Sequence, residues 1–250
     1  MRHLLITADD FGLTRGITDS ILEAADEGVL NNVSILANGN AVDYALTEYR
    51  KRSARLSISI HLNLTEGPAT ATGDRTRFLT DGNDHFCHSF VSLWLRYIFS
   101  LPRTRRVIRS QIRDELSAQI NKVRTILSDN IAFRVDGHQH IHMLPFVFEE
   151  LLKICKGYKI SSIRIPTEPF FFAKPVSVYF SPNIAKHVLL NILGWRNRTL
   201  ARMAGVEANS FFIGVLFTGH MTKDAVESGL KRISKLSNPD DSTEIIFHPG

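Results

Sequence analysis

The alternation of short apolar runs with helical stretches constrains the fold of this 250-residue chain more than any other feature. Runs rich in β-branched residues predict strands at 4–8, 33–37, 56–64, 131–136, 161–166, 211–217 and 244–248. Helices are predicted at 14–30, 104–127, 183–204 and 223–236, with Pro145 in the first turn of another. Repeated strand-then-helix order is typical of a parallel sheet covered by helices, so we predict an α/β fold.

Titratable residues stand at the carboxyl ends of five of these predicted strands. They are Asp9, Asp10, His61, Asp136, His138, Arg164 and His248. In parallel α/β folds the active site gathers at the carboxyl ends of the strands. Because five strands bring such groups to one rim, chance is a poor explanation, and we predict a functional site there.

The first of these strands ends in two adjacent carboxylates, in the stretch LITADDFG at 5–12. Like charges this close repel, and a buried carboxylate is costly unless something compensates it. One interpretation is a strand-to-helix turn, where Asp is common as a cap. The other is a metal or catalytic site, and this stretch alone leaves both open.

The sequence VDGHQHIHMLP at 135–145 contains three alternate histidines, which would share one face of an extended chain. A catalytic metal takes about three protein ligands and keeps an open position for water. Two histidines and one carboxylate from separate strands meet that need, so we choose Asp10, His61 and His138 as ligands of one divalent ion, magnesium or zinc. We expect His140, His142 and Asp136 to support these ligands or to contact substrate rather than to bind the metal.

Composition excludes several other classes of protein. Two cysteines, Cys87 and Cys155, form neither a disulfide framework nor a CxxC pair, and they suit a reducing cytoplasm. We expect no secretory signal, because no apolar region follows the first residues, and no window is apolar for long enough to span a bilayer. The net charge of +5 permits an anionic partner, but no nucleic-acid-binding motif accompanies it.

Two apolar segments lie close in sequence to basic residues or to a long loop. FVSLWLRYIF at 90–99 precedes PRTRRVIRSQIR at 102–113, which carries five arginines, and EPFFFAKPVSVYF occupies 168–180. A polar loop rich in glycine is predicted at 66–88. One interpretation is a surface that meets the cytoplasmic face of a membrane or a lipid-linked substrate. The alternatives are that the segments pack on each other or form a homodimer interface.

Five motifs in this order resemble the YdjC-like carbohydrate deacetylase family: ADDFG, SIHLNLTEG, DGHQHIHMLP, RIPTEP and the terminal FHPG. The resemblance implies an irregular (β/α) barrel of the glycoside hydrolase/deacetylase type, a divalent metal, and removal of acetyl from an N-acetylated sugar. Carried over by motif, Asp10, His61 and His138 would bind the metal and Asp9 would be the general base. The spacing after RIPTEP and the arginine-rich helix are most similar to the branch associated with hopanoid biosynthesis, which implies a glycolipid substrate.

We therefore expect one deacetylase domain over residues 1–250. Family members usually continue past the HPG motif, which leaves open a further helix after Gly250. Asp9 would take a proton from the attacking water, and His248 is a candidate to protonate the leaving amine, unless it is a surface histidine.

Arg164 would orient Asp9 or bind substrate; the alternative is a structural ion pair with Glu168.

Two other functions of the protein stay open: hydrolysis of another bond, such as a phosphoester, and sugar binding without catalysis.

Overall fold

The helices and strands alternate along the chain, as the sequence predicts. The structure is a computed structural model and describes residues 3–127 and 133–249. Its strands are β1 (His3–Phe11), β2 (Asn32–Leu36), β3 (Ser57–Leu62), β4 (Phe133–Gly137), β5 (Ile160–Ile163), β6 (Glu207–Ala208), β7 (Phe211–Ile213) and β8 (Ser242–Phe247). Its α-helices are α1 (Arg15–Glu27), α2 (Val42–Arg50), α3 (Phe90–Phe99), α4 (Pro102–Leu127), α5 (Pro145–Cys155), α6 (Pro182–Met203) and α7 (Lys223–Ser234). Short 3-10 helices cover Gly73–Arg75, His138–Met143 and Val176–Phe180.

The strands form one parallel sheet in the order β6-β5-β4-β3-β2-β1-β8-β7. Its two edge strands, β6 and β7, are separated in sequence only by Asn209 and Ser210, so the sheet must curl until its edges meet. The Asn209 side chain accepts a hydrogen bond from the amide of Ile165 at 2.8 Å and donates to the carbonyls of Ile165 and Phe211 at 3.0 and 2.9 Å, so it links the chain after β5 to the first residue of β7. The predicted irregular (β/α) barrel is confirmed.

The longest helix shows how the apolar pattern positions the site. The buried face of α4 includes an apolar residue at every fourth position: Ile108, Ile112, Leu116 and Ile120. This stripe packs α4 against β3 and α5, and each Leu or Ile buried in this way would cost about 2–5 kcal/mol if cut back to Ala. In the described ranges, no helix is both long and apolar enough to cross a bilayer.

Several predicted elements differ from the structure. The predicted strand at 211–217 ends at Ile213, because Gly214 adopts a φ of +140° and the following amides turn towards the carboxylate of Glu168. The helix α2 was not predicted, and the first two residues of the predicted strand at 131–136 lie outside the described residues. The last strand ends at Phe247, so His248 follows it rather than belonging to it.

Candidate metal centre

The ADDFG motif separates its two carboxylates by a distortion of β1. The pairing register of β1 with β2 shifts between Ala8 and Phe11, and Asp10 and Gly12 have φ angles of +65° and +85°. Asp tolerates this left-handed region better than most residues, and glycine occupies it at no steric cost. The bulge lets Asp9 point inward to Arg164, while Asp10 points towards two histidines.

The three predicted ligands converge at the carboxyl ends of β1, β3 and β4. Oδ1 of Asp10 lies 2.8 Å from Nδ1 of His138 and 3.4 Å from Nε2 of His61, and the two nitrogens are 3.3 Å apart. Ligand atoms at adjacent positions of an ion with bonds of about 2.1 Å are roughly 3.0–3.4 Å apart. This donor set, one carboxylate and two imidazoles, therefore fits a single divalent ion in spacing and in chemistry.

His61 is held in place from behind by Asp136. Its Nδ1 makes a close contact with Oδ1 of Asp136, and the hydroxyl of Ser34 donates to the same carboxylate at 2.7 Å. A carboxylate on one imidazole nitrogen fixes the orientation of the ring and directs the other nitrogen towards a metal. Ser34 has no counterpart in the sequence prediction; it stands on the neighbouring strand β2.

The centre is strongly negative. Burial would lower the pKa of His61, but the carboxylates of Asp136, Asp9 and Asp10 raise that pKa to about 10. Burial would raise the pKa of Asp10, yet its hydrogen bonds with His138 and His61 hold that pKa well below its usual range. A site that stabilises positive charge this strongly suits a divalent cation.

Arg164 lies among three buried carboxylates. Its two terminal nitrogens donate to Oδ2 and Oδ1 of Asp9 at 2.8 and 2.9 Å, and its Nε donates to Glu244 at 3.0 Å. One terminal nitrogen also lies 3.2 Å from Oδ2 of Asp136. The guanidinium thus fixes the side chain of Asp9 and offsets charge that would otherwise be buried unpaired.

The predicted alternative, an ion pair between Arg164 and Glu168, is wrong. Glu168 accepts hydrogen bonds from the amides of Gly214 and Leu216, both at 2.7 Å, and burial raises its pKa to about 7. The true partner, Glu244, belongs to β8, and a buried carboxylate in an apolar strand was the signal that could have found it.

The histidine run does not present three side chains on one face. Residues 138–143 form a 3-10 helix in which Gln139 and His140 have φ angles of +50° and +59°, so an extended chain was the wrong expectation. Nε2 of His142 donates to the carbonyl of Arg164 at 2.8 Å, and burial lowers the pKa of His142 to about 4. A Cβ on Gly137 would lie 2.5 Å from Nδ1 of His142, so the tight coil requires glycine there.

The remaining predicted residues occupy different surroundings. His140 is buried and packs edge-on against Phe212, with ring centroids 6.0 Å apart. His248 is exposed just after β8, whose last residue, Phe247, pairs with Ala8. It therefore stands on the rim beside the strand that carries Asp9.

Glu66 is a further residue at the centre that sequence reasoning missed. Its half-exposed carboxylate lies 2.5 Å from Nε2 of His138, on the solvent side of the ligands. It belongs to the motif SIHLNLTEG, five residues after His61, so the motif itself was the available signal.

The fold and the site together define an irregular α/β barrel with a cluster of carboxylates and histidines, of a kind that could hold a cation, at the carboxyl ends of its strands. The chain belongs to the YdjC-like protein family, whose model matches residues 3–250. Among curated proteins it is similar to a carbohydrate deacetylase of Mus musculus (32% identity) and one of Homo sapiens (31%), each over 66% of this chain. The chain spans about half the length of these relatives, 51% and 49% respectively.

A solved structure supports the fold independently. A protein of Enterococcus faecalis, provisionally described as a cellobiose-phosphate cleavage protein, superposes with a TM-score of 0.71 at 18% identity. The match covers 99% of this chain and 81% of the other. At this level of identity the similarity establishes the barrel and leaves the chemistry to the site.

Proposed function

We propose that this protein hydrolyses the acetamide group of an N-acetylated sugar, with one divalent ion held by Asp10, His61 and His138. The observation that carries the proposal is the convergence of these three ligand atoms within 3.4 Å of one another. Beside them lies the carboxylate of Asp9, which pairs with Arg164 instead. The names of the curated relatives point to the same class of reaction. Magnesium and zinc are both compatible with the donors.

The residues around the ion have separable tasks. A bound divalent ion would polarise the amide carbonyl and lower the pKa of the attacking water. Asp9 accepts the proton of that water, and the bidentate contact with Arg164 holds its carboxylate in one orientation. Asp136 holds the ring of His61, so that Nε2 faces Asp10 and His138, the residues that would hold the ion with it.

The leaving amine needs a proton, and His248 is the candidate donor on the rim. It follows the strand next to β1 and is exposed to solvent. Its position one residue past the in-register pair of Ala8 and Phe247 places it on the same edge of the sheet as Asp9.

A phosphoester substrate with two metal ions is less well supported. A second group of potential ligands exists, formed by Asp9, His61 and Asp136. However, it shares His61 with the first group, and its two carboxylates already face Arg164. A guanidinium in that position would repel a second cation.

Sugar binding without catalysis would require no base, yet Asp9 is present and is fixed by a buried guanidinium.

The experiment that tests the proposal is acetate release from a panel of soluble N-acetylated mono- and oligosaccharides. The protein is stripped with a chelator and then supplied with magnesium or zinc. Metal-dependent acetate release from at least one sugar is expected. Metal-independent release, or release of phosphate from phosphoester analogues alone, would contradict the proposal.

A further inference from the structure

Large apolar side chains project into solvent at the end of the barrel that carries the site. The segment 164–181 leaves the carboxyl end of β5, and α3 contacts the 3-10 helix at His138–Met143. The 26 residues of α4 span about 39 Å, whereas a strand of six residues spans about 20 Å, so the amino-terminal end of α4 extends past the rim. We call the exposed apolar residues of these elements the rim apolar patch; its members, 60–88% exposed, are Phe99, Leu101, Phe172, Val176 and Phe180.

The patch is held outward by a fixed framework. Within the three consecutive phenylalanines, Phe171 is buried and stacks on Phe217 with centroids 5.3 Å apart, while Phe172 points into solvent. The hydroxyl of Tyr179 accepts a hydrogen bond from the amide of Ala173 at 2.8 Å and donates one to the carbonyl of Phe171 at 3.1 Å. These bonds fix the backbone on both sides of Phe172, so its exposure is built into the segment.

Basic side chains border the patch. The exposed Lys174 lies between Phe172 and Val176, and its amide donates to the carboxylate of Asp224 at 2.9 Å. Six arginines lie in 85–113, a range that contains no acidic residue. Arg105, Arg109 and Arg113 of this set bond within the protein, to carbonyls of α3 or to carboxylates of α5. Arg103 and Arg106 are exposed beside Leu101, at the start of α4.

An apolar patch with a mainly positive border matches the surface of an anionic lipid bilayer. A second copy of the chain would bring the same positive charges against one another, which makes a symmetric dimer through this face less favourable. Aromatic residues such as Phe172 and Phe180 suit the apolar side of a headgroup boundary, and arginines suit its phosphates.

We propose that the rim apolar patch, with Arg103 and Arg106, docks this protein on an anionic lipid bilayer so that the mouth of the metal centre faces the membrane. The substrate would then be an N-acetylated sugar carried by a lipid; this last step rests on the proposed deacetylase function. Docking itself does not depend on the chemistry of the site.

The test is co-sedimentation with vesicles of phosphatidylglycerol or of phosphatidylcholine, at low and at high salt. Binding to phosphatidylglycerol at low salt is expected, with a loss of about tenfold or more in the variant Phe172→Ser/Phe180→Ser and in Arg103→Gln/Arg106→Gln. The matched control is Trp195→Ser. Trp195 is 79% exposed but lies beside His3 and Leu4, at the amino-terminal end of β1, and its replacement is expected to leave binding unchanged.

Acetate release from soluble N-acetylated sugars, measured on the same variants, separates the two proposals. Unchanged release by Phe172→Ser/Phe180→Ser together with lost vesicle binding supports both. Vesicle binding by a wild-type protein that releases no acetate from soluble or lipid-linked sugars supports docking and overturns the lipid-linked substrate. Docking is overturned by absence of binding at low salt, by binding that the phenylalanine variant retains, or by a dimer that this variant dissociates in sedimentation velocity.

Discussion

The two terminal nitrogens of Arg164 bind the two oxygens of Asp9, at 2.8 and 2.9 Å, in a pair that is closed off from solvent. This contact explains how adjacent carboxylates coexist at the end of β1. One carboxylate is neutralised by a guanidinium from β5's end, and the other faces the two histidines and the ion they would hold. The pair also leads to the first prediction.

Arg164→Lys keeps the charge but loses the planar, two-point contact with Asp9. We expect kcat for acetate release to fall by about 10- to 100-fold, with KM little changed, because the base would no longer be held in one orientation. Steady-state kinetics on a soluble sugar measures both constants. A variant with wild-type kcat would show that the pair is structural only, and a thermal melt of the same sample controls for folding.

Asp9→Asn separates the base from the ligands. We expect metal affinity to stay within a few-fold of wild type, since Asp9 is not among the three ligands, while kcat falls by about 10²–10⁴-fold. Calorimetric titration with zinc gives the metal affinity, and an assay of acetate release on the same protein preparation gives kcat. A variant that loses metal binding and activity together would instead make Asp9 a ligand.

Asp136→Asn tests the residue behind the ligand. The amide still fills the space next to Nδ1 of His61 but carries no charge, so we expect metal affinity to weaken by about 10- to 100-fold. His61→Ala, which removes the ligand itself, is expected to weaken it further. If Asp136→Asn binds zinc as tightly as wild type in the same calorimetric titration, Asp136 does not support the ligand His61.

His142 predicts a pH dependence of stability. Its pKa is about 4 in the folded protein, because it is buried, and about 6.5 when unfolded. Between pH 6.5 and pH 4, His142 is protonated in the unfolded chain but neutral in the folded protein. Its contribution to the free energy of unfolding is therefore present above pH 6.5 and is lost as the pH falls. From pH 7 to pH 5 this group alone should lower the free energy of unfolding by about 2 kcal/mol.

His142→Gln provides the comparison for that pH dependence. The glutamine amide can still donate to the carbonyl of Arg164 but does not titrate, so its free energy of unfolding should fall less over the same interval. Urea denaturation at both pH values measures the two slopes. Parallel pH profiles for the two proteins would remove His142 as the cause.

The strand-and-helix order was predictable because each element carries a local apolar period. The stripe of α4 and the alternation in β3 are examples, since residues a few positions apart decide them. The helix α2 escaped prediction, and the strand at 211–217 was placed too long because Gly214 and the carboxylate of Glu168, 46 residues earlier, end it. That contact joins distant parts of the chain, and no local pattern reports it.

The candidate site was predictable in part. We chose Asp10, His61 and His138 because each lies at or near the carboxyl end of a predicted strand, and the structure brings them together. The supporting contacts from Ser34 and Glu244 were not found, because they join residues 102 and 80 positions apart in the chain, from strands that are not neighbours in the sheet. The coil of the histidine run depends on positive φ angles at Gln139 and His140, which side-chain type alone does not specify.

The anomalous difference map of a zinc-soaked crystal shows whether one ion binds Asp10, His61 and His138 together. We expect a single strong peak about 2.0–2.2 Å from Oδ1 of Asp10, Nε2 of His61 and Nδ1 of His138. Asp9 should remain on Arg164 in that crystal. A peak bound by Asp9 and Asp136 instead, or two peaks of comparable height, would contradict a single ion on these three residues.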